Sequence, residues 1–174
     1  MARRKPEPRR VIARSSSDDK RRLRDPVPPE SWLLDLASRA SFAGHPKHKW
    51  DPLAFGLPLF SGERPDATYC DHHARFTPAD QARIPDLLRR GILAGLIGSI
   101  DTHGDPTLLW TVDDTGWIYE GRITIPGRAL YHAYPVLPRE AIARAVIARY
   151  LPYAYEPQAK NLVPSAQFLQ DRYS

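Results

Sequence analysis

The sequence predicts a small α+β domain, in which N-terminal helices pack on one face of a small antiparallel β-meander. A C-terminal helix and an irregular extension follow the meander. Apolar residues recur at helical spacing near Trp32 and near Leu88. Three β-prone segments between residues 108 and 136 are separated by tight turns. Helices, then a meander, then a helix is an order typical of the α+β class.

The composition indicates an ordinary folded protein. The 174 residues allow one domain with tails, and 42% hydrophobic with 26% charged residues excludes a collagen-like or wholly disordered chain. One cysteine, Cys70, cannot form an internal disulfide, which fits a reducing compartment. The 18 prolines predict short helices and many connections.

The net charge of +5 lies entirely in the first thirty residues, which carry ten Lys or Arg and five Asp or Glu. We therefore expect a disordered basic tail over residues 1–29, a single α+β domain over 30–151 and a C-terminal extension over 152–174. No apolar stretch indicates a signal peptide or a membrane span. The expected site of action is the cytoplasm, and delivery as a secreted effector is left open.

The elements before the sheet follow from local signals. A proline pair precedes a first helix over Glu30–Arg39. Residues 41–66 lack periodicity and are rich in Gly and Pro, so we expect a long loop, and long ordered loops tend to be functional. Thr77 and Pro78 are a second helix start, and Gly95 is the corresponding stop.

The meander is the clearest part of the pattern. Its predicted strands are 108–112, 117–125 and 129–136, preceded by a short strand over 96–100. Gly116 and Gly127 lie in the two connecting turns. A helix is expected from residue 138 to Tyr150, with Pro152 as its end.

The densest polar cluster lies in the predicted loop. His45, Lys47, His48 and Lys49 place two imidazoles and two ammonium groups within five residues. A histidine accepts a proton near neutral pH, and a lysine can contact a phosphate oxygen. Metal-free RNA cleavage needs both roles, since a base must activate the ribose 2′-OH and cations must stabilise the phosphorane. An exposed basic loop without catalysis is the alternative.

A second polar cluster lies on the meander. Glu120, Arg122 and Thr124 alternate along one strand face, which small ribonucleases use for acid, base and phosphate contacts and other proteins for cross-strand pairing. Tyr131 and His132 on the next strand can join them. A two-residue turn would place Tyr131 beside Arg122, and a slip of one residue would place His132 there, so both registers are kept.

A third cluster offers a metal site as an alternative. Cys70, His72 and His73 are ligand types for zinc, but adjacent histidines rarely bind one ion, and His45, His48 or His103 would have to complete the set. The competing interpretation is a buried cysteine with locally hydrogen-bonded histidines. Common nucleotide-binding, metalloprotease and serine-hydrolase motifs are absent from the sequence.

Four segments resemble small bacterial toxin domains. They are the His-Pro-Lys-His-Lys loop, Thr68-Tyr69-Cys70-Asp71, the strand Trp-Ile-Tyr-Glu-Gly-Arg-Ile-Thr from Trp117, and Tyr-His-Ala-Tyr-Pro from Tyr131. Over roughly residues 40–150 they are similar to metal-independent RNase toxins of the barnase, EndoU, colicin and RelE-like fold. The resemblance implies His45 or His48 as base or acid, Lys47 and Lys49 as phosphate contacts, and Arg122 as a transition-state stabiliser.

The leading hypothesis is therefore a metal-independent ribonuclease toxin that uses no cofactor. The partners expected for it are an RNA substrate and an acidic immunity protein or antitoxin, with no membrane. The alternatives are a metal-dependent nuclease that uses Cys70, His72 and His73, and a non-enzymatic module that binds nucleic acid or protein.

Overall fold

The structure, a computed structural model, describes residues 21–174. Its helices are α1 (Glu30–Arg39), α2 (Cys70–His73), α3 (Ile84–Leu93), α4 (Ala141–Ala154) and α5 (Val163–Tyr173). Its strands are β1 (Ser41–Phe42), β2 (Leu108–Val112), β3 (Ile118–Ile125) and β4 (Leu130–Pro135). Short 3-10 helices cover Pro46–His48, Pro52–Phe55, Pro78–Arg83 and Pro157–Leu162. The α+β class is confirmed, and none of the described helices is long and apolar enough to cross a membrane.

The two helices that were predicted before the meander, α1 and α3, have the predicted signals. Leu33 and Leu36 form the buried face of α1. At the second start, the amide and hydroxyl of Thr77 both donate to the Asp80 carboxylate at 2.7 Å, which caps the turn leading into α3. Gly95, in the left-handed region with φ +68°, follows the end of α3.

The sheet has the strand order β1-β4-β3-β2. The three predicted meander strands are antiparallel neighbours. Within the segment predicted to be a loop, Ser41 and Phe42 pair in the parallel direction with Leu130 and Tyr131. The sheet is therefore mixed rather than purely antiparallel. The sequence did not predict β1, because a strand of two residues is too short to show an alternating pattern.

Helices cover both faces of the sheet, rather than the single face that was predicted. Leu109 and Tyr131 pack with α1 and α3 on one face, and Trp110 and Ile118 pack with α4 and α5 on the other. Helix α3 approaches β2 so closely that a Cβ on Gly91 would lie 2.1 Å from the Trp110 carbonyl oxygen. Burial falls along β3, so α4 and α5 leave the later part of their face uncovered.

The C-terminal segment is helical rather than irregular. Helix α4 continues past Pro152, and the Tyr155 amide closes its last turn on the Leu151 carbonyl. The later prolines of this segment occupy first-turn positions of the 3-10 helix and of α5, where a missing N–H removes no helical hydrogen bond. Leu169 is buried against α4. The boundary predicted after residue 151 falls within α4.

Residues 21–29 pack on the domain, although the sequence predicted a disordered tail over 1–29. The Arg24 amide donates to the Ile97 carbonyl at 2.7 Å, and Leu23 packs against the core beneath α4. The side chain of Arg21 is 5% exposed. Partners distant in sequence offset the ordering entropy that local composition cannot. The rest of that prediction, residues 1–20, lies outside the described residues.

The segment 96–100 is not the strand that was predicted. It forms two isolated bridges, Ile97 with Leu109 and Ile100 with Pro106. A turn follows at once, in which the Asp101 amide donates to the carbonyl of residue 105 at 2.8 Å. The segment lies beside β2, since the Trp110 amide donates to the Leu96 carbonyl and the Gly98 amide to the Leu108 carbonyl, both at 2.8 Å, but it forms isolated bridges rather than a regular strand.

Candidate functional site

The basic loop forms a single 3-10 turn that brings two histidines together. The Lys47 amide donates to His45 Nδ1 at 3.1 Å, and the His48 amide donates to the His45 carbonyl at 3.1 Å. Pro46 occupies the first position, where its fixed φ suits the turn. As a result, the ring centroids of His45 and His48 lie 6.0 Å apart.

Three histidine rings meet over the uncovered end of the sheet. His132 on β4 lies 5.4 Å from His45 and 5.7 Å from His48, measured between ring centroids. On the same sheet face, the Tyr134 ring stacks on His48 at 4.5 Å. We call His45, His48 and His132 the imidazole cluster. The sequence singled out all three residues, and the structure brings them together.

The register of β3 and β4 decides which side chains face the imidazole cluster. Arg122 lies opposite His132, and Ile123 lies opposite Tyr131. This is the second of the two registers that the sequence left open. Tyr131 consequently lies on the other face, where it is buried and its hydroxyl donates to the Pro106 carbonyl at 2.9 Å. It does not reach the cluster.

Glu120 lies on the same sheet face, opposite Tyr134, and is fully buried. Its carboxylate accepts hydrogen bonds from Trp110 Nε1 at 3.1 Å, from Arg122 Nε at 3.3 Å and from the Tyr134 hydroxyl. The Tyr134 hydroxyl also accepts from Arg122 Nε at 2.5 Å. Glu120 therefore orients Arg122 and Tyr134, which is a positioning role rather than the acid or base role that the strand pattern suggested.

Arg21 joins the N-terminal segment to this network. Its Nε donates to Glu120 at 2.7 Å, and a terminal nitrogen donates to Glu140 at 2.8 Å. Both carboxylates are nearly or fully buried, so the guanidinium supplies the positive charge that their burial requires. A buried ion-pair network beside the site thus begins in the segment predicted to be disordered.

The imidazole cluster is uncharged at neutral pH. Burial, reinforced by the neighbouring His132, lowers the pKa of His48 to about 3. Burial, with His45 and Arg122 nearby, lowers the pKa of His132 to about 4. Burial and then the Lys47 charge also lower the pKa of His45 from its ordinary value. All three rings therefore hold lone pairs that can accept a proton.

Hydrogen bonds assign different tautomers to the two loop histidines. His48 Nδ1 lies 3.3 Å from the Thr68 carbonyl, which can only accept, so Nδ1 carries the proton and Nε2 is the acceptor. His45 Nδ1 accepts from the Lys47 amide, so its Nε2 carries the proton. One ring thus presents an acceptor and the other a donor.

The remaining predicted residues divide between the site and the core. Thr124 is exposed, and its hydroxyl lies 2.9 Å from His132 Nδ1, so it can orient that ring. Lys47 is half-buried and lowers the pKa of His45 through its charge, after burial as the main cause. Lys49 is buried on another side of the loop, with its Nζ 4.8 Å from the centre of the Phe55 ring. Lys49 does not join the imidazole cluster.

Two residues of the site were missed by sequence reasoning. Tyr134 lies two positions after His132 on one strand, so strand periodicity alone puts both on one face once the register is known. Arg21 lies 99 positions from Glu120, and no local pattern connects them.

The alternative metal ligands do not converge. Cys70 is buried with its Sγ 3.5 Å from the Ala133 carbonyl, whereas His72 is exposed. His73 is half-buried beside its own helix, and His103 lies in an exposed turn. Within residues 21–174, no group of three or more His, Cys, Asp or Glu side chains is arranged to hold a metal ion.

Comparisons with known proteins found no match to this chain among family models, curated proteins or solved structures.

Proposed function

We propose that this chain is a metal-independent ribonuclease that binds an RNA phosphodiester over the imidazole cluster. The observation that carries the proposal is the convergence of three neutral imidazoles with the Arg122 guanidinium at the uncovered end of the sheet. Imidazole is the side chain best suited to transfer protons near neutral pH. A guanidinium stabilises the charge that develops on a phosphoryl group.

His48 is the general base in this proposal. Its Nδ1–H faces the Thr68 carbonyl, which leaves Nε2 to take the proton from the ribose 2′-OH. The 2′ oxygen then forms a bond to phosphorus. The lowered pKa keeps the ring neutral across the physiological range, so the Nε2 lone pair is not occupied by a proton before substrate binds.

His45 is the general acid. It is the more exposed of the two loop histidines, and a bound phosphate raises the pKa of an adjacent imidazole because an anion favours the charged form. A proton from water enters at Nδ1 and displaces the hydrogen bond from the Lys47 amide, and the Nε2 proton passes to the 5′ oxygen as the bond between that oxygen and phosphorus breaks. The products are a 2′,3′-cyclic phosphate and a 5′-hydroxyl.

The remaining groups stabilise and orient. Arg122, whose side chain is 37% exposed, and Lys47 provide positive charge for the non-bridging phosphate oxygens. His132, oriented by Thr124, contacts the same oxygens as a hydrogen-bond donor. Glu120 positions Arg122 and Tyr134 from below.

The biological setting belongs to the same proposal. A toxin that cleaves cytoplasmic RNA needs an inhibitor, and an acidic immunity protein or antitoxin would complement Arg122 and Lys47 at the cluster.

The test is cleavage of single-stranded RNA by purified protein in EDTA. We expect the wild-type protein to cleave, and the double variant His45→Ala/His48→Ala to lose at least about 10²-fold in rate. His72→Ala, an exposed histidine outside the cluster, is the matched control and keeps the wild-type rate. Uncut RNA, or a double variant as active as the control, refutes the proposal.

A further inference from the structure

We propose that Phe60, together with His45, forms a subsite that stacks one unpaired RNA base beside the scissile phosphate. This inference rests on the proposed function and narrows its substrate to single-stranded RNA. The subsite lies in the long loop between β1 and α2, and only His45 is shared with the proposed chemistry.

A row of rings leads outward from the sheet to Phe60. The His45 ring lies 5.4 Å from His132 on one side and 6.0 Å from Phe60 on another. Phe60 is therefore the next ring beyond the imidazole cluster. A base bound against it belongs to a nucleotide adjacent to the phosphate over the cluster.

Neighbouring residues of the same loop, Gly62 and Arg64, hold the Phe60 ring in place, rather than contacts with the hydrophobic core. The Arg64 guanidinium lies 4.9 Å from the ring centre, and Arg64 also donates to the Lys49 carbonyl at 2.9 Å. A Cβ on Gly62 would lie 2.6 Å from Phe60 Cζ, so the ring occupies space that only glycine leaves open. An aromatic ring fixed at a half-exposed position is preorganised for stacking.

The chemistry of stacking defines the ligand. Base–aromatic stacking contributes about 1–3 kcal/mol per base and tolerates any base, because every base has a π-face. A base inside a duplex has both faces covered by its neighbours, so only an unpaired base can use Phe60. The adjacent Arg64 adds a positive charge at the same position.

The experiment measures binding separately from cleavage. Short single-stranded RNA with 2′-fluoro ribose lacks the attacking hydroxyl, and its affinity is measured by fluorescence anisotropy. A series carries one abasic residue at each position in turn. We expect one abasic position to weaken wild-type binding by about 5- to 150-fold, which is the stacking energy expressed as a ratio.

Phe60→Leu separates stacking from packing. It keeps apolar bulk but has no π-face, so it should bind the intact strand as weakly as the wild type binds the sensitive abasic strand. A second abasic penalty should not appear in that variant. Phe60→Trp should bind like the wild type, and so should Leu59→Ala, the neighbouring residue with 72% exposure.

Three results would overturn the subsite: no binding by the wild type, equal wild-type affinity for intact and abasic strands, or wild-type affinity in Phe60→Leu. Failure of the catalytic proposal looks different. In that case natural RNA stays uncut while the base-dependent binding remains.

Discussion

At the scale of single residues, the charge state of His132 depends on what surrounds it. Burial is the main cause of its low pKa, followed by His45 and Arg122. Replacing Arg122 with Gln removes a positive charge, so we expect the pKa of His132 to rise from about 4 toward its ordinary value of 6.5. The measurement is an NMR titration of the imidazole protons.

The control for this titration is Arg144→Gln, which removes an equal charge from an exposed position on α4. It should leave the pKa of His132 unchanged. An unchanged or lower pKa in Arg122→Gln would show that Arg122 does not act on the cluster as described.

The buried Glu120 network gives a stability prediction. Glu120→Gln removes the negative charge that Arg21 and Arg122 share, and breaking a buried ion pair in this way costs about 3–5 kcal/mol. Urea unfolding measures the loss. Glu63→Gln, on an exposed residue, should change the free energy of unfolding by less than about 0.5 kcal/mol. Equal stability of the two variants would mean that the network contributes nothing.

The residue types of the site were predictable, but their final neighbours were not. His45 and His48 stood out because two imidazoles and two ammonium groups crowd one loop. Of the two registers that the sequence left open, the observed one turns Tyr131 away from the cluster and Tyr134 toward it, because a one-residue change of register exchanges the faces of a strand. Arg21 had no signal, because its partners come from β3 and the start of α4.

At the scale of elements, turn chemistry made the meander predictable. Glycine at positive φ marks both hairpin turns, at Gly116 and Gly127, and the alternation between them fits strands. The C-terminal helix α5 was not predicted, because the prolines at 152, 157 and 164 resemble helix breaks when their position in a helix is unknown. A proline alone fits either the first turn of a helix or its end, and here packing decides between them.

Helix α5 is part of the core, and this can be measured. Leu169 is fully buried among α4 and β-sheet residues, so Leu169→Ala should destabilise the protein by about 2–5 kcal/mol. The adjacent Phe168 is 52% exposed, and Phe168→Ala should cost less than about 1 kcal/mol. Thermal unfolding of both variants is the measurement. Similar losses, or none, would return this segment to the irregular extension of the original prediction.

At the scale of the whole molecule, two helical layers enclose the sheet and leave one end of one face open. The α+β class and the three meander strands followed from periodicity. Coverage of the second face did not follow, because it depends on α4 and α5 packing over residues far away in sequence. The open end of this face exposes Arg122 and Thr124. The site therefore depends both on the meander strands, which the sequence predicts, and on the extent of α4 and α5 coverage, which it does not.

The neutral histidines make the whole protein sensitive to acid. An unfolded imidazole binds a proton near pH 6.5, whereas His48 and His132 bind one only near pH 3 and 4 in the folded state. Between these values the unfolded chain holds more protons, so stability is lost as the pH falls below about 6.5, by about 1.4 kcal/mol per pH unit for each group. Denaturant unfolding from pH 7 to pH 4.5 gives the slope.

His48→Gln should make this slope shallower whatever its stability at pH 7, because the variant has one titrating group fewer. His72→Gln, an exposed histidine outside the cluster, should retain the wild-type slope. Identical slopes in the wild type and His48→Gln would contradict the buried neutral state.

The central claim concerns the reaction, and the chemical ends of its products test it most directly. Single-stranded RNA is incubated with the protein in EDTA, and the fragments are identified by mass spectrometry. Attack by the ribose 2′-OH predicts fragments ending in 2′,3′-cyclic phosphate with 5′-hydroxyl partners, and none from His45→Ala/His48→Ala. Intact RNA, or fragments with 5′-phosphate and 3′-hydroxyl ends, would contradict the account.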